Sequence, residues 1–191
     1  MKLLDVFSRK PKPRKCESFS CTGTVLFSFI RAFSNLAVKI SPEQMIAFLH
    51  EHLNAQTSII EKHSGVVLTS VGDAIMAFWR DSDSEQKSAE LAFRAAQAML
   101  ADVDTSVKYR IVLGTGTMAG DFFGPIKQYQ IVGEAMNIAE ELARFHSLNS
   151  APPKVILLTE NTLARIKPFS VAASSDGTLS NNIKVYSYTS G

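Results

Sequence analysis

Val66-Val67-Leu68-Thr69-Ser70-Val71-Gly72-Asp73-Ala74-Ile75-Met76-Ala77-Phe78-Trp79 sets two apolar runs rich in β-branched residues on either side of a single Gly-Asp pair. The pattern predicts a tight β-hairpin. It puts one carboxylate, Asp73, on the rim of a sheet, where many enzymes hold a cation. Gly-Asp is also among the commonest turn pairs, so Asp73 becomes a candidate metal ligand only if the rest of the chain supplies partners for it.

Working outward, the 191 residues make one ordinary domain, long enough to bury a core without help from metal or disulfide. A hydrophobic content of 46% with 20% charged residues is that of a globular chain and excludes a disordered one. The net charge of +2 gives no argument for a nucleic-acid partner. Lys2, Arg9, Lys10, Lys12, Arg14 and Lys15 nevertheless crowd the N-terminus, with Pro11 and Pro13 among them. Met1 to Lys15 therefore reads as a mobile basic tail, and a single folded domain over 23–191 follows a tail region of 1–22. The tail is either a solvated leader or a contact for an acidic surface, such as anionic lipid or an acidic partner. Its first residues are too few and too polar for a signal-peptide core, and no later run approaches a membrane span, so the cytoplasm is the expected compartment. Cys16 and Cys21 fit neither a C-x-x-C redox pair nor a zinc knuckle and read as reduced thiols. His50 and His52 flank Glu51 without the spacing of a helical zinc site, and both are expected to face solvent.

Before the hairpin, Thr24 to Phe29 reads as a buried strand, and Ile30 to Ile40 has apolar residues at helical spacing. Ser41-Pro42-Glu43-Gln44 is a helix start with serine as N-cap. It opens a helix to about His63 whose buried stripe is Met45, Ile46, Leu49, Leu53 and Ile60. After the hairpin, a polar link at Asp81 to Ser84 leads to an alanine-faced helix from about Glu85 to Ala101. Tyr109 to Leu113 is a strand running into Gly114-Thr115-Gly116-Thr117-Met118-Ala119-Gly120, which does not match a dinucleotide fingerprint and reads as a glycine-rich hairpin. Tyr129–Val132 is a strand and Glu134 to His146 a helix, followed by a surface loop at Asn149 to Pro153. A strand at Val155–Leu158, a short helix at Glu160–Ile166 and a closing edge strand at Ile183–Tyr188 complete the chain. A hairpin set between helical crossovers argues for an α+β or α/β sandwich, a mixed sheet with one face covered by helices.

Several local sequences, in this order, resemble the catalytic domain of class III adenylate and guanylate cyclases. Val25-Leu26-Phe27-Ser28-Phe29-Ile30-Arg31-Ala32-Phe33-Ser34 is similar to the first strand of that family, V-L-F-A-D-I-R-G-F-T. Ser41-Pro42-Glu43, His63-Ser64-Gly65-Val66-Val67 and the Val71–Phe78 hairpin match the segments that follow. Tyr129-Gln130-Ile131-Val132-Gly133-Glu134-Ala135-Met136-Asn137-Ile138-Ala139 resembles the Y-x-x-x-G-x-x-x-N-x-A segment. The match runs from about Gly23 to His146 and more loosely to Tyr188. It implies an α+β, ferredoxin-like class III cyclase fold, with a mixed, mainly antiparallel sheet and helices packed on it.

The resemblance also implies a chemistry that this chain meets poorly. The family holds two divalent ions, Mg2+ or Mn2+, on two carboxylates, and uses them to cyclise a nucleoside triphosphate with loss of pyrophosphate. Asp73 stands at the second carboxylate position, but the first is Phe29. The base-reading positions are Thr69 and Gln130, neither of them the usual residue. Asn137 matches the asparagine that orients the ribose, while the arginine expected after it is Glu141, with Arg144 one turn further on. Lys184 is a weak match for the last phosphate-binding lysine. Asp73 as a turn former and Asn137 as a helix-face amide are the plain structural alternatives. Family members build sites across homodimers or heterodimers, yet this chain lacks residues of both halves. The expected function is a noncatalytic, nucleotide-binding or regulatory dimerisation module. The alternative is an active cyclase making a purine or pyrimidine cyclic nucleotide, alone or with a partner subunit.

Overall fold

β1 (Phe19–Ile30) runs antiparallel to both of its neighbours, and the sheet is assembled around it. The computed structural model describes residues 18–82, 87–103, 107–125, 127–145, 152–166 and 174–189. The tail Met1–Lys15, Cys16 and parts of the expected links at 83–84 and 149–151 lie outside them.

On one side of β1 is the hairpin of β2 (Val66–Val71) and β3 (Ala74–Arg80), as the Gly-Asp pair predicts. Gly72 takes a φ of +58, a left-handed conformation that glycine adopts without a Cβ penalty. On the other side lies β4 (Tyr109–Phe123), then β6 (Lys154–Thr159), β8 (Lys184–Tyr188) and β7 (Ser174–Thr178). β5 (Gln128–Val132) folds back on the far half of β4. Of these pairings only β4 with β6 is parallel, so the sheet is mixed and mainly antiparallel.

The helices are α1 (Phe33–Ala37), α2 (Pro42–Lys62), α3 (Ser88–Asp102), α4 (Glu134–Arg144) and α5 (Glu160–Arg165). Ser41 caps α2 as predicted: its hydroxyl accepts the Gln44 amide at 3.3 Å while the Gln44 side chain accepts the Ser41 amide at 2.9 Å. Helices cover both faces of the sheet, not one. Leu26, Ile111, Leu113, Ile156 and Leu158 point into a core shared with α2 and α3, whereas Val25, Val112, Val155 and Leu157 point into a second core under α4. Strands buried on both faces read as continuous apolar runs, which hides the second helical layer from periodicity.

Other differences have local causes. β1 reaches Ile30, and Ala32 with a φ of 57 breaks the chain before α1, so the helix expected over 30–40 shrinks to a short turn of helix. Gly114 to Gly120 is not a hairpin but the middle of β4, and the reversal comes only at Gly124. A Cβ on Gly114 would lie 2.5 Å from the Ala135 carbonyl oxygen and 2.6 Å from the Ala139 amide nitrogen, so the missing side chain lets α4 lie directly on the strand. β8 is not an edge, because β7 pairs outside it; Ser174-Ser175-Asp176-Gly177-Thr178 carries none of the apolar alternation that marks a strand. Ile46 of the expected α2 stripe is 58% exposed, and the fully buried α2 positions are Gln56 and Ile60. His52 does not face solvent either: it stacks on Phe48 and meets Tyr109 edge-on. Cys21 is a half-buried free thiol whose pKa burial pushes up, consistent with an unreactive reduced cysteine.

Candidate functional site

The hairpin tip and the end of β1 meet through Asp73. Its Oδ2 accepts the Ile30 backbone N–H at 2.6 Å, which ties the turn to the peptide immediately after Phe29. Phe29 is half-buried and pairs across the ladder with Arg110, a buried residue whose Nη1 donates to the Phe145 carbonyl at 2.8 Å. Burial, reinforced by the Arg31 charge and opposed by Asp176, holds the Arg110 pKa below the ordinary arginine value.

Thr69 and Gln130 come together. The β2 and β5 strands place both on the wall of one recess of about 230 Å³, with Leu68, Met76, Tyr129, Met136 and Glu140 as further lining. Asn137 is elsewhere, exposed on α4, in a second recess of about 290 Å³ with Gly133, Glu134, Glu141, Asn181 and Ile183. Asp73 lines neither of these two hollows.

Glu141 is held by a contact that sequence reading missed. Its Oε1 accepts both the Ser180 backbone N–H at 2.7 Å and the Ser180 hydroxyl at 2.5 Å, latching the turn between β7 and β8 onto α4. Nothing local flagged Ser180, because the strand before it, β7, carries no recognisable pattern. Arg144 is turned outward, 74% exposed and 3.7 Å from Glu140, an ion pair of a kind that adds little. Lys184 is exposed at the start of β8.

The latch makes a pH-dependent prediction. The Ser180 hydroxyl and amide both favour the carboxylate, so Glu141 titrates below the ordinary carboxylate range. The folded state therefore releases this proton more readily than the unfolded chain does. The stabilisation is complete above the usual carboxylate pKa and fades as the pH falls through the lowered folded value. The Ser180 amide is expected to be protected from hydrogen exchange at neutral pH and to lose that protection in acid. Glu141→Gln should weaken the protection at neutral pH and flatten its pH dependence.

The adenylate and guanylate cyclase catalytic domain model matches residues 16–187, almost the whole chain. This chain belongs to that family. Among curated relatives, Adenylate cyclase 1 of Rhizobium meliloti (strain 1021) is 25% identical over 132 residues, covering 62% of this chain and 20% of that protein. The adenylate cyclase of Anabaena cylindrica is 25% identical over 160 residues, covering 75% of this chain and 30% of its own length. The cyclase domain thus spans less than a third of the curated relatives it matches. Among solved structures, the adenylyl cyclase CyaB from P. aeruginosa superposes with a TM-score of 0.76 at 25% identity, covering 92% of this chain and 97% of that one. The guanylate cyclase domain of RhGC from Catenaria anguillulae, solved in complex with GTP, gives 0.76 at 19% identity over 91% and 98% of the two chains. That second likeness is one of fold.

Cyclases of this family generally use Mg2+ or Mn2+. The residues this cyclase domain presents do not fit a pair of such ions. Phe29, at the position where the resemblance calls for the first carboxylate, has no oxygen to offer, and among the described residues no group of three or more His, Cys, Asp or Glu gathers to hold a metal. No described helix is long and apolar enough to cross a membrane.

Proposed function

We propose that this domain is a cyclase-homology module without cyclase chemistry, a nucleotide-binding or regulatory dimerisation unit. One observation carries the reading: the Asp73 carboxylate accepts the Ile30 backbone N–H at the end of β1, and Phe29, which precedes that amide and stands where the resemblance calls for the first carboxylate, contributes a ring and no oxygen. A hydrated Mg2+ needs only one or two carboxylates plus phosphate oxygens, so Asp73 can still take part in nucleotide binding; placing two ions needs a second carboxylate.

The other positions support the same reading. Glu141 sets a negative charge where the family resemblance calls for an arginine, and Ser180 holds it there. A carboxylate at that place repels a triphosphate. Residues of both half-sites differ in this one sequence, which argues against rescue by a partner chain. The counter-reading, an active cyclase with an unusual base preference in a homodimer or heterodimer, is favoured by one observation. Thr69 and Gln130 share a hollow, and a hydroxyl with a carboxamide can pair with the edge of a purine or a pyrimidine.

Thermal melting with ATP, GTP, CTP and UTP, each with Mn2+, tests the binding half of the proposal. At least one triphosphate is expected to raise the melting temperature in proportion to the logarithm of its concentration above Kd. Melting unmoved by all four would remove nucleotide binding and leave a protein-interaction role.

A further inference from the structure

A hollow outside the nucleotide positions lies between α2 and the end of α3. It encloses about 310 Å³ and is lined by Phe48, Glu51, His52 and Ala55 on the helix side and by Asp102 and Val107 opposite. That volume is at the lower end of small-ligand sites. None of Asp73, Thr69, Gln130, Asn137 or Glu141 contributes to it.

Its walls combine a flat aromatic surface with hydrogen-bond acceptors. The Phe48 and His52 rings stack at 5.8 Å with an interplanar angle of 6°, and Tyr109 backs His52 edge-on at 5.4 Å. Glu51 and Asp102 supply two carboxylates, and among the described residues neither forms an ion pair with a lysine or arginine. The Lys154 ammonium at this end of α3 is committed to the carbonyls of Leu100 and Val103. Burial lowers the His52 pKa and outweighs the attraction of Asp73 and Asp102, so the imidazole is neutral at pH 7 and offers a face without charge.

Asp102 is held in place from α2. Gln56, one turn along α2 from His52, is fully buried and donates its Nε2–H to Asp102 Oδ2 at 3.1 Å. The buried Nε2 of His52, which lines the recess, has no hydrogen-bond partner. Two carboxylates without a cationic partner beside a stacked ring pair call for a ligand that is flat, positively charged and rich in N–H groups.

We propose that this recess is a binding site for a small planar organic cation of the amidinium or guanidinium class, held between Glu51 and Asp102 against the Phe48–His52 face. The cation donates to the two carboxylates and lays its π-system along the rings. The site is independent of the nucleotide reading.

Calorimetric titration of the full chain with benzamidine and phenylguanidine tests this, with benzamide as the uncharged isostere of the first. At least one cation is expected to bind saturably, and benzamide about tenfold more weakly or not at all. Glu51→Gln and Asp102→Asn should each reduce affinity about tenfold, while Glu90→Gln, which removes the same charge on α3 outside the recess, leaves it unchanged. No saturable heat from either cation, equal affinity for benzamide, or equal losses in all three variants would overturn the proposal. If Asp102→Asn melts early through its Gln56 bond, Glu51→Gln, whose carboxylate has no hydrogen bond among the described residues, decides the matter alone.

Discussion

Gly114→Val is expected to destabilise the domain by about 3 kcal/mol or more, at the upper end of what overpacking a close contact does. The reason is geometric. A Cβ at this position would meet the Ala135 carbonyl oxygen at 2.5 Å and the Ala139 amide nitrogen at 2.6 Å, and both are backbone atoms of α4 that cannot rotate aside. The added side chain must lift α4 from β4, and α4 carries Asn137, Glu141 and the buried Ala135, Met136, Ile138, Ala139 and Leu142. For a domain of this size the melting temperature should fall by roughly 6 to 12 °C. Calorimetry checks it, and a melting temperature unchanged from wild type would mean that α4 is not seated on the glycine face.

Phe29→Asp is expected to create a divalent-cation site where the native chain has only a partial one. The new carboxylate would stand on the residue before the Ile30 amide that fixes Asp73, across the ladder from Arg110. Mn2+ should bind the variant saturably. At a concentration about 100 times Kd it should stabilise the fold by about 2.7 kcal/mol, while the native chain gains little. Asp73→Ala on top of Phe29→Asp should abolish the gain. Mn2+ binding as tight in the native chain as in Phe29→Asp would show that Phe29 does not limit the site.

How much of this was legible in the sequence depended on whether a residue's role is local. The hairpin, the Ser41 cap and most strand positions follow from turn chemistry and periodicity, and the structure has them where the residues indicate. The ordered series of short motifs points to the cyclase family, and the match over residues 16–187 agrees. What escaped is long-range. Gly114 and Gly116 look like turn glycines until α4 is seen pressed against them. His52 looks like a surface histidine because its partner Tyr109 is far away in the chain. The Glu141–Ser180 latch joins residues on segments that the sequence alone does not bring together. Among the candidate site residues, the structure brings Thr69 and Gln130 into one hollow, which their separation in sequence does not reveal. It leaves Asp73 and Asn137 in separate places on the single chain.

The measurement that bears most directly on the central claim is incubation of the full chain with ATP, GTP, CTP and UTP, each with Mn2+, followed by mass spectrometry for cyclic products, with Asp73→Ala alongside. The account predicts no cyclic nucleotide from any of the four. A cyclic product made by the native chain and lost in Asp73→Ala would contradict it, and would mean that another group does the work of the missing carboxylate at Phe29.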